Sequence, residues 1–145
     1  MIEKDFDFKQ VPYNWPLCYL SECGRKEECL RYQVTPCVPK HVTNYPCILP
    51  TVLKQEQCRY FHAIRKVRAA AGFRNIVSEL KEKDLHSIRM EITVYLGSKT
   101  TYYRYKNGEK LLMPRQQERI KKILLRHGYP DEIRFDGYRE VYLIE

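Results

Sequence analysis

The six cysteines of this 145-residue chain all lie within its first 58 residues, and this confinement constrains the fold more than any other feature. Six of the eight prolines also fall there, between Pro12 and Pro50. Proline fixes one backbone angle and donates no hydrogen bond, so most of this stretch can join neither a long helix nor a central strand. Such a segment buries little apolar surface of its own, and we expect its cysteines to provide additional stabilisation.

A metal ion held by thiolates would provide that stabilisation, because the free energy of metal binding becomes free energy of folding. Three cysteines form a compact C-x4-C-x5-C cluster, and a fourth, Cys58, is predicted to begin a helix, where a thiolate is favoured over a thiol. Zinc prefers four sulfur or nitrogen ligands in a tetrahedron. We therefore predict zinc at Cys18, Cys23, Cys29 and Cys58, with an iron–sulfur cluster as the alternative occupant of the same four thiolates.

Other interpretations of the cysteines remain open at this point. Reduced structural cysteines without a metal explain the pattern equally well, whereas disulfides are disfavoured because the N-terminus lacks the apolar run of an export signal. His62 lies four residues after Cys58 on the predicted helix and could replace one ligand. Cys37 and Cys47 follow prolines and are interpreted as small buried apolar residues.

Net charge is +8, from 26 Lys and Arg against 18 Asp and Glu, and it is unevenly distributed. Residues 1–58 hold seven residues of each sign, residues 59–128 hold seventeen basic and six acidic residues, and residues 129–145 hold two basic and five acidic residues. A basic body of this size attracts polyanions, of which nucleic acid is the commonest in a cell. The charge pattern therefore indicates DNA as a partner.

The patterning divides the chain into a Cys/Pro-rich module, residues 1–57, and a basic helical body, residues 58–145. Apolar spacing of three and four residues predicts helices, and the alternating tail predicts a strand. Asn75 and Asp84 are predicted to cap the second and third helices. The predicted helices span residues 57–71, 75–83, 85–96 and 114–127, and the predicted strand spans residues 138–144. The expected fold class is mainly α, of the α+β type, with a small antiparallel β element and an irregular N-terminal module.

The segment 85–127 carries the most information about function. A helix ending in Leu-Gly is followed by Ser98 as a helix cap and by a basic, hydroxyl-rich stretch that ends at Asn-Gly. This order is typical of two helices joined by a tight turn, the second of which presents polar side chains to DNA bases. Tyr102 and Tyr105 are predicted to pack inward. The side chains predicted to face outward and bind nucleic acid are Lys99, Thr100, Tyr103, Arg104 and Lys106.

A β-hairpin over residues 101–112 is the alternative for part of this segment. Asn107-Gly108 is a strong hairpin turn, and threonine and tyrosine favour strands. Such a hairpin could pair with the tail strand around Val141, and positive charge would then be the main remaining indication of DNA binding.

Residues 75–127 resemble the helix-turn-helix of lambda-repressor-like DNA-binding domains, in which Leu-Gly, a turn, Ser or Thr, an aromatic-Arg pair, a Gly-containing stop and a further helix follow in that order. The resemblance implies a small transcriptional regulator whose second helix contacts DNA. The turn between Gly97 and Thr100 is one residue shorter than that pattern. The whole chain also looks like an uncharacterised bacterial family, a resemblance that implies no activity or site.

No catalytic pattern is visible, and we expect the protein not to be an enzyme. Glycine-rich nucleotide loops, G-x-S-x-G and H-E-x-x-H are missing, and the four histidines lie far apart in sequence. No apolar run of about 18 residues is present, so we expect no membrane association and a cytoplasmic location. The alternative function is a non-catalytic interaction module, in which residues 12–50 bind a protein partner; a homodimer is also compatible with the sequence.

Overall fold

The structure, a computed structural model, describes residues 2–130 and 132–144. These residues form two compact units, with the boundary in sequence between Arg65 and Lys66. We call the residues up to Arg65, with which Ile144 is grouped, the cysteine unit, and we call Lys66–Leu143 the helical unit. The fold is mixed α+β, as the sequence predicted, with α-helices and a small two-stranded antiparallel sheet.

The cysteine unit has little regular secondary structure. Its helix α1 spans Leu30–Gln33, and short 3₁₀ turns span Phe8–Gln10, Lys26–Glu28, Thr35–Cys37 and Pro50–Lys54. Proline occupies one of the first two positions of the last two turns, where its fixed backbone angle suits helical geometry. The fully buried side chains of this unit include Leu17, Leu30 and Val34.

Most of the regular structure lies in the helical unit. Its elements are β1 (Lys66–Ala70), α2 (Arg74–Ser78), α3 (Glu82–Leu96), α4 (Lys99–Lys106), α5 (Pro114–Arg126) and β2 (Tyr138–Tyr142). The two strands pair antiparallel, with Lys66 opposite Tyr142 and Ala70 opposite Tyr138. Helix α3 packs against α4 and α5, and α5 packs against β1. Every helix in residues 2–130 and 132–144 is too short or too polar to cross a membrane.

One continuous apolar core fills the helical unit. Ile88 and Ile92 are four residues apart in α3, so they lie on the same helix face, and both are buried. In α5, buried apolar residues recur at spacings of three and four, which likewise gives the helix one buried face. The core includes Phe73, Ile88, Ile92, Tyr102, Leu112, Ile120, Ile123, Leu124 and Phe135.

The helix predicted over residues 57–71 is wrong. Residues 66–70 form β1 instead, and the partner of β1 is the tail, where the predicted strand is confirmed as β2. Val67 lies opposite Val141 in the sheet, and Ala69 and Ala70 are fully buried. Pairing with the tail therefore overrides the helical preference of this alanine-rich stretch.

The second predicted helix is shorter than expected and ends at Ser78. Asn75 is not its cap, because the backbone N–H groups of Arg74 and Asn75 donate to the Asp136 carboxylate at 2.7 and 2.9 Å. Gly72 permits this approach, since its φ is +88° and a Cβ there would lie 2.7 Å from Asp136 Oδ2. A carboxylate some 60 residues away in sequence therefore begins α2.

The third predicted helix is confirmed as α3, but it begins earlier than expected, at Glu82. Asp84 lies in the first turn and is not the cap. The Lys81 N–H donates to the Tyr129 hydroxyl at 2.9 Å, and that hydroxyl donates to Asp84 Oδ2 at 2.7 Å. The chain that follows α5 therefore fixes the start of α3.

The hairpin alternative over residues 101–112 is wrong, because residues 99–106 form α4. Ser98 caps this helix as predicted: its Oγ accepts a hydrogen bond from the Thr101 N–H at 3.2 Å. After α4, Leu112 exchanges two backbone hydrogen bonds with Ala70 of β1, at 2.8 and 2.9 Å. These bonds fix the segment between α4 and α5 against β1. The predicted helix over residues 114–127 is also confirmed, as α5.

Candidate functional site

Helix α4 is anchored to the core of the helical unit by Tyr102. This side chain is 1% exposed, and its ring meets the ring of Phe73 edge to face, with 5.4 Å between the ring centroids. Burial raises the pKa of the Tyr102 hydroxyl, and the nearby Arg89 guanidinium of α3 opposes that effect. The hydroxyl is therefore neutral at physiological pH.

Three of the five side chains predicted to bind nucleic acid, Lys99, Thr100 and Arg104, are exposed on α4. Thr100 and Arg104 are four residues apart and share a helix face, and Lys99 precedes Thr100 in the first turn. Neither Lys99 nor Arg104 forms an ion pair with a carboxylate of the described residues. We call Lys99, Thr100 and Arg104 the α4 basic face.

The other two predicted contacts, Tyr103 and Lys106, are half-buried and do not point freely outward. Tyr103 packs against the core, with its ring edge-on to Tyr102 at a centroid distance of 5.2 Å. The Lys106 Nζ lies 5.4 Å from the centre of the Tyr103 ring, and the Lys106 carbonyl accepts from the Phe73 N–H at 3.1 Å. Tyr105 is half-buried, as its predicted inward packing requires.

The α4 basic face lies within a strongly positive stretch. Residues 99–126 hold nine Lys and Arg against two acidic residues, Glu109 and Glu118. Lys110 and Arg115, which sequence reasoning did not single out, are both exposed in this stretch. Lys110 lies between α4 and α5, where no local pattern specifies its exposure, whereas Arg115 lies in the first turn of α5.

The four cysteines predicted as metal ligands line one cavity in the cysteine unit, and the volume of this cavity is about 490 Å³. One of the four thiols is buried and the other three are half-buried. Neither Cys37, Cys47 nor His62 lines this cavity. We call the four residues the cavity cysteines: Cys18, Cys23, Cys29 and Cys58.

Arg31 connects the segments that carry the cavity cysteines. Its Nε donates to the Tyr60 carbonyl at 2.7 Å, and its Nη1 donates to the Pro16 carbonyl at 2.8 Å. Its guanidinium carbon lies 4.2 Å from the centre of the Trp15 ring, and its own carbonyl accepts from the Cys18 N–H at 3.2 Å. One side chain therefore joins segments next to the first, third and fourth cavity cysteines.

Cys58 does not begin a helix, so the predicted effect of a helix N-terminus on its thiol does not apply. It begins a turn instead, in which the Phe61 N–H donates to the Cys58 carbonyl at 3.2 Å. His62 does not share a helix face with Cys58. Its ring packs edge to face against Trp15, and its Nδ1 lies 3.2 Å from the Ala63 carbonyl oxygen.

Cys37 and Cys47 differ in their surroundings. Cys47 is exposed, so its interpretation as a buried apolar residue is wrong; its Sγ lies 3.4 Å from the Tyr45 carbonyl oxygen. Cys37 is half-buried, and burial raises the pKa of its thiol.

The cavity cysteines do not form a closed ligand set in the structure. In residues 2–130 and 132–144, no three His, Cys, Asp or Glu side chains stand close enough together to hold a metal ion. All six cysteines are free thiols. Burial raises the pKa of the Cys18 thiol, and charge on the other three cavity cysteines raises it further, so this thiol is protonated at neutral pH.

Comparison with known proteins identifies the family of the chain. The model of a family of unknown function, DUF6078, matches residues 1–144. The chain belongs to DUF6078. This result agrees with the expected resemblance to an uncharacterised family. No curated protein and no solved structure is significantly similar to the chain.

This DUF6078 chain thus presents two candidate sites, one in each unit. The α4 basic face offers two cations and a hydroxyl on the exposed side of an anchored helix. The cavity is lined by four thiols and by the Arg25 guanidinium. The first set of groups suits an anionic polymer, and the second suits a thiophilic metal ion.

Proposed function

We propose that this protein binds double-stranded DNA through the α4 basic face, as a small regulator would. The observation that carries the proposal is the anchoring of α4: Tyr102 fixes one side of the helix in the core, while Lys99, Thr100 and Arg104 are exposed. An anchored helix presents its exposed side chains in a fixed orientation, which base recognition requires.

The dimensions of α4 suit the major groove. An α-helix with its side chains is about 10–12 Å in diameter, close to the groove width of about 12 Å, and the eight residues of α4 give a rod about 12 Å long. Helix α3 precedes it directly and packs against it, in the order found when one helix supports a second that enters the groove.

Each side chain of the α4 basic face has a plausible partner on DNA. Arg104 can donate two parallel hydrogen bonds to a guanine edge or a phosphate, and Lys99 can neutralise a phosphate. Thr100, four residues before Arg104, can add a hydroxyl contact on the same face. Helix α4 contains no acidic residue, so no carboxylate on the helix offsets the positive charge of Lys99 and Arg104.

The test measures binding of the full chain to a fluorescent mixed-sequence duplex as a function of salt concentration. We expect log affinity to fall linearly with log salt. The double variant Lys99→Ala/Arg104→Ala should reduce that slope by about 2 if both side chains contact phosphates, and by about 1 if Arg104 contacts a guanine edge. The matched control is Lys83→Ala/Arg134→Ala, which removes the same charge from exposed positions outside α4.

Two results would contradict the proposal. One is a lack of duplex binding by the unmodified chain even at about 50 mM salt, where electrostatic binding is strong. The other is an equal loss of affinity in the control variant, which would assign binding to diffuse charge rather than to α4.

A protein-interaction module is the second candidate, and the exposure of large apolar side chains in the cysteine unit favours it. Tyr13 is 88% exposed, Leu49 is 69% exposed and Tyr19 is 55% exposed. Contacts made by such side chains are driven by apolar burial and would therefore survive high salt, unlike DNA binding. Self-association at high salt that is abolished by Tyr13→Ser/Leu49→Ser would favour this candidate.

A further inference from the structure

The cavity cysteines come from distant parts of the chain, yet the fold brings them to one place. Cys18 and Cys58 are separated by 40 positions in sequence. Arg31 holds the flanking segments together through the Pro16 and Tyr60 carbonyls, and the Leu30 N–H donates to the His62 carbonyl at 2.7 Å. Cys37 and Cys47 of the same unit lie outside the cavity, so the fold does not bring every cysteine together. The grouping of the other four therefore needs an explanation.

The cysteine unit also needs stabilisation beyond its apolar core. Its α-helix has four residues, and the rest of its regular structure consists of 3₁₀ turns. Small domains with little buried apolar surface are commonly stabilised by disulfides or metals. The cysteines of this chain are free thiols, so disulfides do not provide that stabilisation in the structure.

We propose that Cys18, Cys23, Cys29 and Cys58 together bind one zinc ion through four thiolates. Zinc accepts four sulfur ligands in a tetrahedron at about 2.3 Å. The sulfur atoms must therefore move inward from their positions in the structure, where no three ligands stand close enough together. The cavity volume of about 490 Å³ leaves room for that movement.

The segment carrying Cys23 is the part best suited to move. It lies in a turn whose residues on either side, Glu22 and Gly24, are exposed. Cys23 N–H donates to the Leu20 carbonyl at 3.2 Å, Lys26 N–H to the Cys23 carbonyl at 3.3 Å, and Lys26 Nζ to the Ser21 carbonyl at 2.9 Å. Gly24 follows in open space, with no neighbouring heavy atom within 4 Å of where its Cβ would be. The segments around Arg31 are more firmly fixed and would form the preorganised part of the site.

The charge balance of the site is favourable. Zinc binding forms four Zn–S bonds, and the protons of the four thiols are released to solvent, which leaves a net charge of about −2 on the centre. Arg25 and Lys26 line the cavity, and Arg31 interacts electrostatically with Cys18, Cys29 and Cys58, so cations are available to offset that charge. Glu22 and Glu56 also line the cavity, but thiolates are the ligands that zinc retains in structural sites.

The test measures the metal content of the full chain, loaded with zinc alone under reducing conditions and then passed over a desalting column. We expect about one zinc ion per chain. Cys18→Ser and Cys58→Ser should lose most of the bound zinc, whereas Cys37→Ser and Cys47→Ser should retain it, because those two thiols lie outside the cavity. Retention of zinc by all four variants would overturn the proposal, as would its loss from the two control variants.

A second measurement keeps the proposal testable if Cys→Ser variants fail to fold. Cobalt(II) loaded in place of zinc should show the intense visible bands of a tetrahedral site together with thiolate charge-transfer absorption in the near ultraviolet. Cys58→His should retain the tetrahedral bands with weaker charge transfer, since one thiolate is replaced by a nitrogen ligand. Weak octahedral bands, or stoichiometric iron with the broad visible absorption of an iron–sulfur cluster in the purified chain, would overturn the zinc assignment.

This proposal is independent of DNA binding. Neither measurement contains nucleic acid, and none of the cavity cysteines belongs to the α4 basic face. A variant that loses zinc but still binds duplex DNA, or one that loses duplex binding but keeps zinc, would show which of the two proposals has failed.

Discussion

The cysteine unit and the helical unit hold their folds by different means. Among the described residues, seven buried apolar residues lie up to Arg65 and fourteen lie in Lys66–Leu143. The helical unit also contains the three longest helices, which pack through apolar faces. The cysteine unit instead relies on specific polar contacts, above all those of Arg31. A unit with a small core therefore depends more on individual polar groups, and a unit with a larger core depends more on packing.

The different content of proline explains much of this contrast. Six of the eight prolines precede residue 51, and the stretch that contains them forms 3₁₀ turns and the four-residue helix α1 rather than long helices. The helical unit has Pro114 at the start of α5, where a missing N–H costs nothing.

The largest expected effect is that of Tyr102→Ala in the helical unit. Truncating a buried aromatic side chain typically costs about 3 to 5 kcal/mol, because apolar contacts are lost and a cavity remains. We expect the urea transition followed by far-ultraviolet circular dichroism to move to much lower urea. Tyr13→Ala is the matched control in the cysteine unit, and since Tyr13 is 88% exposed, it should change stability little.

The single tryptophan allows the two units to be followed separately in that experiment. Trp15 lies in the cysteine unit, whereas α2 to α5 dominate the circular dichroism signal. If Tyr102→Ala shifts the Trp15 fluorescence transition by the same amount, the two units unfold together and do not differ in stability.

A pair of glycine substitutions compares how well the backbone of each unit tolerates an added side chain. Gly72→Ala in the helical unit forces a side chain into φ +88° and places its Cβ 2.7 Å from Asp136 Oδ2. We expect a loss of about 1 to 3 kcal/mol, with α2 losing its cap as Asp136 is displaced. Gly24→Ala in the cysteine unit meets no neighbour within 4 Å and should be close to neutral. Equal denaturation midpoints for the two variants would contradict this expectation.

Sequence patterns predicted elements where one local preference dominated. α5 was predicted from Pro114 and apolar residues at spacings of three and four. For α4 the local signals were divided, because Ser98 favoured a helix whereas Asn107-Gly108 and the threonines and tyrosines favoured a hairpin. β1 could not be predicted in the same way, because its alanines favour a helix and only pairing with β2 makes them a strand. Likewise, the cap of α2 is Asp136, and no local signal near Asn75 indicates so distant a carboxylate.

In the candidate sites too, local sequence predicted some features, and others depend on the folded chain. Close spacing grouped Cys18, Cys23 and Cys29, whereas Cys58 was added because it was predicted to begin a helix. All four line one cavity, but Cys58 lies at a turn. On α4, helical periodicity placed Tyr102 correctly but not Tyr103. Both tyrosines pack, because tyrosine can bury its ring while its hydroxyl remains near water, so polarity alone is a poor guide to its orientation.

The smallest predicted effect concerns Ser98, where stability and binding can be separated. Ser98→Ala removes the acceptor for the Thr101 N–H and should cost about 1 kcal/mol, and α4 is sensitive to this loss because eight residues alone form a marginal helix. Ser87→Ala, at an exposed position within α3, is the control and should not destabilise the chain. Ser98→Asp supplies a new acceptor at the same position and should restore stability, yet its negative charge adjoins Lys99 and should weaken duplex binding. Unfolding curves and salt-dependent binding of the three variants provide the measurement. If Ser98→Asp binds duplex DNA as tightly as the unmodified chain, the start of α4 does not face the phosphates, and the DNA contacts must be sought elsewhere on the helical unit.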